Sequence, residues 1–348
     1  MDPILVDIYD RVRKAAAERT PLRIRGSGAK DFYGYRLEGE VLDVSGYRGV
    51  IDYEPSELVL TARAGTPLAE IERTLAQGGQ MLACEPPYFG PNATLGGCVA
   101  CGFSGPRRAA SGSVRDFVLG TRVINGAGED LRFGGQVMKN VAGFDVSRLM
   151  AGSFGTLGLI VDVSLKVLPR PEEEQTLRLE MSPAKAIETM NRWAGQPLPV
   201  SATCYIEGAL HVRLSGSGRT VATTRERIGG DALQHDGDFW TGVREHSVPA
   251  LQGRLWRVSV RPTTPPLPLP GQQTVEWNGS LRWVATEATD DEVHQAARKA
   301  GGYATLFRGA QGDPIMRLEA NVLALNRRIK AALDPDGIFG PHRLHPEF

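Results

Sequence analysis

The chain has 348 residues, more than one typical domain holds, with 40 basic and 40 acidic side chains and a hydrophobic content of 41%. Zero net charge excludes a global field that would draw nucleic acid or an anionic membrane surface, so any anion site must be local. Four cysteines at irregular spacing (Cys84, Cys98, Cys101, Cys204) do not make a disulfide framework, and no run approaches the roughly 20 apolar residues of a membrane span. The N-terminus, MDPILVDIYDRVRK, lacks a signal peptide's apolar core and cleavage site, so a soluble, intracellular chain is expected.

Residues 3–19 read as a helix, with Asp2 as N-cap, Pro3 as first helical residue and Leu5, Ile8, Val12 and Ala15 on one face. Short strand-like runs follow at Leu22–Arg25, Val41–Val44, Val50–Tyr53 and Leu58–Ala64. A second helix starts at Thr66-Pro67, buries Leu68, Ile71 and Leu75, and stops at Gly78-Gly79. From Gly90 to Gly158, 15 of 69 residues are glycine. Each glycine in a regular element costs roughly 0.5–1 kcal/mol relative to alanine. That density suits a backbone that must turn with positive φ or approach a large ligand closely. Within the stretch, Val118–Asn125 and Asp130–Phe133 read as strands joined by the turn Gly126–Glu129, and Leu159–Leu168 as a third strand. Pro169-Arg170-Pro171 with the following Glu172–Glu174 marks a domain boundary, giving domains 1–171 and 172–348. The second half reads as α+β. It has a capped helix from Ser182-Pro183, strands at Ala202–Glu207, Leu210–Ser215 and Tyr303–Phe307, an extended loop at Arg261–Pro270, and a helix near Asp290–Ala300. A last helix, Pro314–Leu333, is expected to bury Leu318, Val322, Leu325 and Ile329.

Common chemical signatures are missing. Gly26-Ser27-Gly28 is followed by Asp31 where a dinucleotide-binding fingerprint needs a third glycine, and there is no GxxxxGK[ST] or GxSxG. The six histidines are scattered, and His342 and His345 lie without acidic ligands nearby, which disfavours a metal centre. Cys98-Val-Ala-Cys101 lacks the second pair a zinc site needs, and reads as small residues for close packing. Arg107-Arg108 reads as a local surface pair. What remains is Arg25-Gly26-Ser27-Gly28-Ala29-Lys30, directly after a strand, whose small residues can turn their N–H groups inward as an anion-binding nest. Thr94-Leu95-Gly96-Gly97 reads as a second tight turn.

In this order, a nest after a strand, a helix, TLGG, SGPRR, VRDFVLG, KNVAGFDVSRLMAGSFGTLG and DPDGIFGP, the chain resembles the FAD-binding proteins of the p-cresol methylhydroxylase and vanillyl-alcohol oxidase superfamily. Within it the chain is most similar to the FAD-binding (E) subunit family of glycolate oxidase, over essentially its full length. The resemblance implies a two-part FAD domain followed by a smaller α+β cap, with the terminal segment 334–343 returning to the FAD domain. It implies that Arg25, Gly26, Ser27, Gly28, Ala29 and Lys30 hold the pyrophosphate and that Thr94, Gly96 and Gly97 lie along the cofactor. Ser104, Gly105, Ser111, Arg115 and Asp116 would line the rest of the cleft, and Gly152, Gly155, Thr156 and Ile160 would meet the adenosine side. RGSGAK carries no His, Tyr or Cys, so the FAD is expected to be non-covalent.

The family's C-terminal motif, DPxGI(L/F)NPG, is DPDGIFGPHR here, with Gly340 in place of the asparagine and His342 in place of the glycine. Related catalytic subunits carry a histidine pair and a Glu-His-Gly-like segment that this chain does not show. No base for a hydroxyl proton or cation for a carboxylate is identified, and Lys139 and Arg148 read as helix-end or solvated residues. The resemblance therefore implies an electron-transfer or accessory flavin subunit, assembled with a catalytic FAD subunit and an iron–sulfur subunit on a small 2-hydroxy acid. Such a subunit would be cytoplasmic, or peripheral at the inner membrane through its partners. A stand-alone hydroxy-acid oxidoreductase and a non-catalytic structural subunit remain as alternatives.

Overall fold

Asp2 starts the first helix, α1 (Pro3–Glu18), by accepting the Ile4 N–H at 3.0 Å, and Pro3 brings no N–H that needs a partner. Its apolar face, Leu5, Ile8, Tyr9, Val12 and Ala15, is buried as the spacing predicts. That face packs on Leu22 of β1 (Leu22–Arg25) and Leu42 of β2 (Glu40–Asp43), which pair in parallel. The computed structural model describes residues 2–135, 145–309 and 318–347. The chain falls into two compact units, each discontinuous in sequence. The first holds Met1–Phe103, Ser113–Pro169 and Arg317–Phe348, and the second holds Ser104–Gly112 and Arg170–Met316.

The rest of the first unit is built on a five-stranded antiparallel sheet. Its strands are β3 (Val50–Glu54), β4 (Val59–Arg63), β5 (Val118–Ile124), β6 (Asp130–Gly134) and β7 (Leu159–Lys166), in the order β3-β4-β7-β5-β6. The β5–β6 hairpin expected from Gly126–Glu129 forms, with Gly128 at φ 73° and the Asn125 amide oxygen accepting from Ala127 and Glu129. One side of the sheet packs on α2 (Leu68–Gln77) and α3 (Leu95–Cys101) through Leu60, Ala62, Leu68, Ile71, Leu75, Leu95 and Val99. TLGG is thus the start of a helix and not the isolated tight turn expected. Two glycines lower helix propensity, but Gly96 is needed where it sits, because a Cβ there would lie 2.7 Å from that of Ala64.

The last helix, Ala320–Leu333, also belongs to this unit. The stripe expected to be buried is not: Val322 and Leu325 are 41% and 53% exposed, Leu318 is exposed, and Ile329 is half-buried. The helix buries Lys330 instead. The apolar spacing gives the stripe correctly, but spacing alone does not say whether a partner covers it. The proposed start of this helix, Pro314, lies outside the described residues, as do Lys139 and the segment around it.

The second unit is an eight-stranded antiparallel sheet with helices. Beside the short strand Asp231–Ala232 lies β8 (Glu173–Glu180). Then come the hairpin of β10 (Ala209–Gly216) with β9 (Val200–Ile206), then β12 (Gln272–Glu276), β13 (Leu281–Ala285), β11 (Leu255–Ser259) and β14 (Tyr303–Arg308). The hairpin turns on Glu207 and Gly208, both left-handed, as a two-residue loop requires. The α+β class read from the sequence is the one observed. Ser104–Gly112 joins this unit through Arg107, which ion-pairs Glu174, through the Trp277 indole N–H donating to Gly105 O at 3.0 Å, and through Arg108 over the Trp277 ring at 4.3 Å. Arg107 is buried, not the surface residue expected, because Glu174 and the β-sheet polar cluster around it supply a counter-charge.

Candidate functional site

β1 feeds directly into Arg25–Lys30. The loop reverses at Gly28, whose φ of 75° is costly for any residue with a Cβ. The Asp31 N–H returns to Gly28 O at 3.0 Å, and the Ala29 N–H bonds the Ser27 hydroxyl at 3.3 Å. The N–H groups of Gly26, Ser27 and Gly28 have no protein acceptor among the described residues. Gly26 also lets the loop touch α3: a Cβ there would stand 2.4 Å from the Thr94 hydroxyl oxygen, which caps α3 by accepting the Gly97 N–H at 3.3 Å. Three successive donors without acceptors among the described residues, beside a capped helix start, stand where the sequence places an anion-binding nest.

The loop lines a cleft of about 960 Å³ of free space, its mouth included. α3 contributes Gly96, Gly97, Ala100 and Cys101, while Cys98 points into the core. Burial pushes the Cys98 thiol up to about 12 and the Cys101 thiol up to about 11, against the opposing pull of Lys30. Both thiols are therefore held in the protonated form at neutral pH, which disfavours a thiolate nucleophile at the CxxC pair. Phe154, Gly155 and Ile160 also line the cleft. Phe154 sits at φ 54°, and its ring packs on Tyr33 at 5.3 Å and Phe103 at 6.0 Å.

The C-terminal segment closes the cleft, and a buried lysine fixes it. Lys330 Nζ donates to Thr156 O at 2.7 Å, Phe339 O at 2.7 Å and the Asp334 carboxylate at 2.6 Å. The other demands of that carboxylate are met by the Ile338 and Phe339 N–H groups. The segment then runs along β1: the Leu22 N–H bonds Ile338 O at 2.6 Å, and the Gly340 N–H bonds Leu22 O at 2.9 Å. This places Gly340 and Arg343 on the cleft.

Charge on the lining is uneven. Arg23, Arg25, Lys30, Arg36 and Arg343 face only Asp31 and Glu38. Arg25 pairs with Asp31 at 3.0 Å, and Glu38 is held by Arg36 and by His342 at 3.0 Å, which keep its carboxyl below the usual range. Lys30 is buried, with its ammonium on Tyr88 O at 3.1 Å and near the Phe89 ring. Arg23 has no hydrogen-bond or ion-pair partner among the described residues, and its Nε is fully buried.

Of the residues expected at the cofactor, Arg25, Gly26, Ser27, Gly28, Ala29, Lys30, Thr94, Gly96, Gly97, Gly155 and Ile160 line this cleft. Gly152 and Thr156 are outside the lining. Thr156 is buried, bonding Ser153 O through its hydroxyl and Lys330 through its carbonyl. Arg115 and Asp116 sit in the short helix Val114–Phe117, where Asp116 closes a capping box with Ser113. Ser104, Gly105 and Ser111 belong to the second unit, and the Ser111 hydroxyl bonds Arg107 O at 3.1 Å. Sequence reasoning missed Arg23, Phe154, Cys101, Gly340 and Arg343. The alternation of a strand would have put Arg23 on the same face as Arg25, but nothing local to Arg343 announces that its segment folds back on β1.

The donors, the surplus of cations and the free space suit FAD, whose pyrophosphate carries the negative charge and whose rings are flat. Comparison with known proteins points the same way. A family model described as an FAD binding domain matches residues 6–134. The chain is 48% identical over 342 residues to the glycolate oxidase subunit GlcE of Escherichia coli, covering 98% of this chain and 97% of that one. It is 30% identical over 178 residues to the glycolate oxidase subunit GlcD of Bacillus subtilis, covering 50% of this chain and 38% of the relative. Among solved structures, an alkyldihydroxyacetonephosphate synthase shares the fold with a TM-score of 0.65 at 14% identity, over 96% of this chain and 74% of the other.

Proposed function

Because the chain belongs to the family of the glycolate oxidase subunit GlcE, we propose that it is the subunit that holds FAD non-covalently in a complex oxidising glycolate to glyoxylate. It is a flavoprotein of an oxidoreductase family whose near full-length relative is one subunit of a larger assembly. When bound, FAD supplies the acceptor for the electrons of the oxidation. The chain's own part is to bind and orient. The Gly26–Gly28 N–H groups would hold the pyrophosphate, Thr94 and Gly96 would bring α3 against it, and Phe154 and Ile160 add apolar surface to the lining.

The observation that carries the division of labour is the state of the cleft's carboxylates. Asp31 and Glu38, the carboxylates on the lining, are each paired with an arginine, and neither stands poised as a base for a hydroxyl proton. This supports hydroxy-acid oxidation at a partner flavin subunit, with this chain passing electrons toward an iron–sulfur subunit. Non-covalent attachment is supported by the lining, which among the described residues holds no histidine or tyrosine and one thiol, Cys101, whose proton affinity burial raises. No helix among the described residues is long and apolar enough to cross a membrane, and association with a membrane through partner subunits fits this reading. The test is glycolate-dependent dye reduction by the FAD-loaded single chain and by the purified complex. Activity confined to the complex is expected, whereas turnover by the single chain at the rate of the complex contradicts the division.

A further inference from the structure

We propose that Arg23 and Arg343 together form a two-cation anion site that grips the pyrophosphate of the cofactor and couples its binding to docking of the C-terminal segment. The inference rests on the reading of this cleft as the FAD site.

The two residues come from distant parts of the sequence. They meet because Ile338–Gly340 bonds along Leu22, the neighbour of Arg23, and the Arg343 N–H returns to Gly340 O at 3.2 Å. Both line the same cleft as the Gly26–Gly28 donors. Arg23 has no hydrogen bond or ion pair among the described residues, and its Nε is sealed from solvent. Arg343 is 8% exposed and uses only Nη2, which donates to Lys30 O at 3.2 Å and Asp31 O at 3.4 Å. Its Nε and Nη1 donate to nothing among the described residues.

Arg343 is a buried guanidinium without a carboxylate, which is costly, and the half-buried charge of Arg23 repels it. The carboxylates that could neutralise them are committed, Asp31 to Arg25 and Glu38 to Arg36 and His342. Burial lowers the proton affinity of Arg343, and the charge of Arg23 lowers it further, while Asp31 acts the other way. A pyrophosphate diester offers two negative charges and several acceptor oxygens, which match two forked donors and the free loop N–H groups. The bonds from Arg343 to the two carbonyls of the loop tie the position of the tail to the shape of the nest. Ligand that neutralises the pair therefore holds the tail down, and the tail in turn keeps the nest formed.

The test uses the full-length chain, stripped of flavin and titrated with FAD, riboflavin and ADP by flavin fluorescence and calorimetry. For Arg23→Gln and Arg343→Gln, FAD affinity should fall about tenfold to a hundredfold each, as for lost charge-assisted bonds. Riboflavin, which has no pyrophosphate, should bind wild type and variants alike. In the wild type, ADP should compete with FAD, and both should slow proteolysis within residues 334–348, while riboflavin should not. The thermal midpoint of flavin-free Arg23→Gln should be no lower than that of wild type, since the substitution removes a half-buried, unpaired charge that repels Arg343. Variants that bind FAD within twofold of wild type overturn the proposal, as does protection of the tail that is equal with riboflavin. If Arg343→Gln does not fold, the wild-type competition and proteolysis arms decide alone. Wild type that takes up no FAD at all overturns the cofactor reading itself.

Discussion

Two buried cationic regions of the first unit meet their burial in opposite ways. Lys330 is surrounded by acceptors, two carbonyls and the Asp334 carboxylate, and that carboxylate is completed by two backbone N–H groups. Burial lowers its proton affinity, and Asp334 opposes that. The Arg23 and Arg343 guanidiniums, on the cleft side, have neither carboxylate nor, for Arg23, any acceptor among the described residues. The first arrangement is complete within the chain and serves to lock the C-terminal segment. The second is complete only with an anion. Charge left unsatisfied in a folded protein is therefore a pointer to ligand, and charge that is satisfied is a pointer to architecture.

The sharpest way to break the comparison is on the cleft side. Gly26→Val with Gly28→Val drives one side chain into Thr94 and the other into the Arg25 guanidinium. FAD binding should be lost to beyond detection in fluorescence titration, with the unfolding transition of the second unit unchanged. A double variant that stays yellow contradicts the nest. On the architectural side, Asp334→Ala leaves Lys330 buried without its counter-ion and should cost about 3–5 kcal/mol in urea unfolding. A loss below about 1 kcal/mol would show that the latch is not what holds the segment.

The second unit provides an internal reference, because two of its buried histidines lie outside the cleft. Burial lowers His246 to about 3 and His211 to about 4, with nearby arginines adding to the effect. In the unfolded chain both titrate near their usual value of about 6.5. The unfolded state thus binds more protons below about pH 6.5, so stability is full above that pH and falls as pH drops toward 4. Thermal scans across this range should show the midpoint falling on acidification, and His246→Phe should flatten the slope. An unchanged slope in that variant assigns the acid sensitivity elsewhere. The smallest effect expected is from Arg25→Gln. Its pair with Asp31 is part-exposed, so FAD affinity should weaken by about fivefold or less. A loss as large as that of Arg23→Gln would erase the distinction between paired and unpaired arginines.

Much of this was legible in the sequence. The capped α1, the α2 face, the β5–β6 hairpin and the α+β second half follow from local spacing and turn chemistry. The RGSGAK loop was legible because a strand, two glycines and flanking cations are contiguous. The α3 helix was not, since TLGG looks like a turn until Ala64 of another strand is placed against Gly96. Arg343 was hidden for a similar reason: its role depends on Lys330 and Asp334 folding the tail back onto β1, a contact between residues more than 300 positions apart. The exposed stripe Leu318, Val322 and Leu325 shows the converse limit, as periodicity marks a sticky face without naming what meets it.

The most direct measurement is acid precipitation of the purified chain, with flavin counted in the supernatant against protein. The account predicts a yellow protein that releases intact FAD, close to one per chain, and in whose flavin-free form riboflavin binds far more weakly than FAD. A colourless chain that takes up no FAD, or flavin that stays with the precipitated protein, would contradict it.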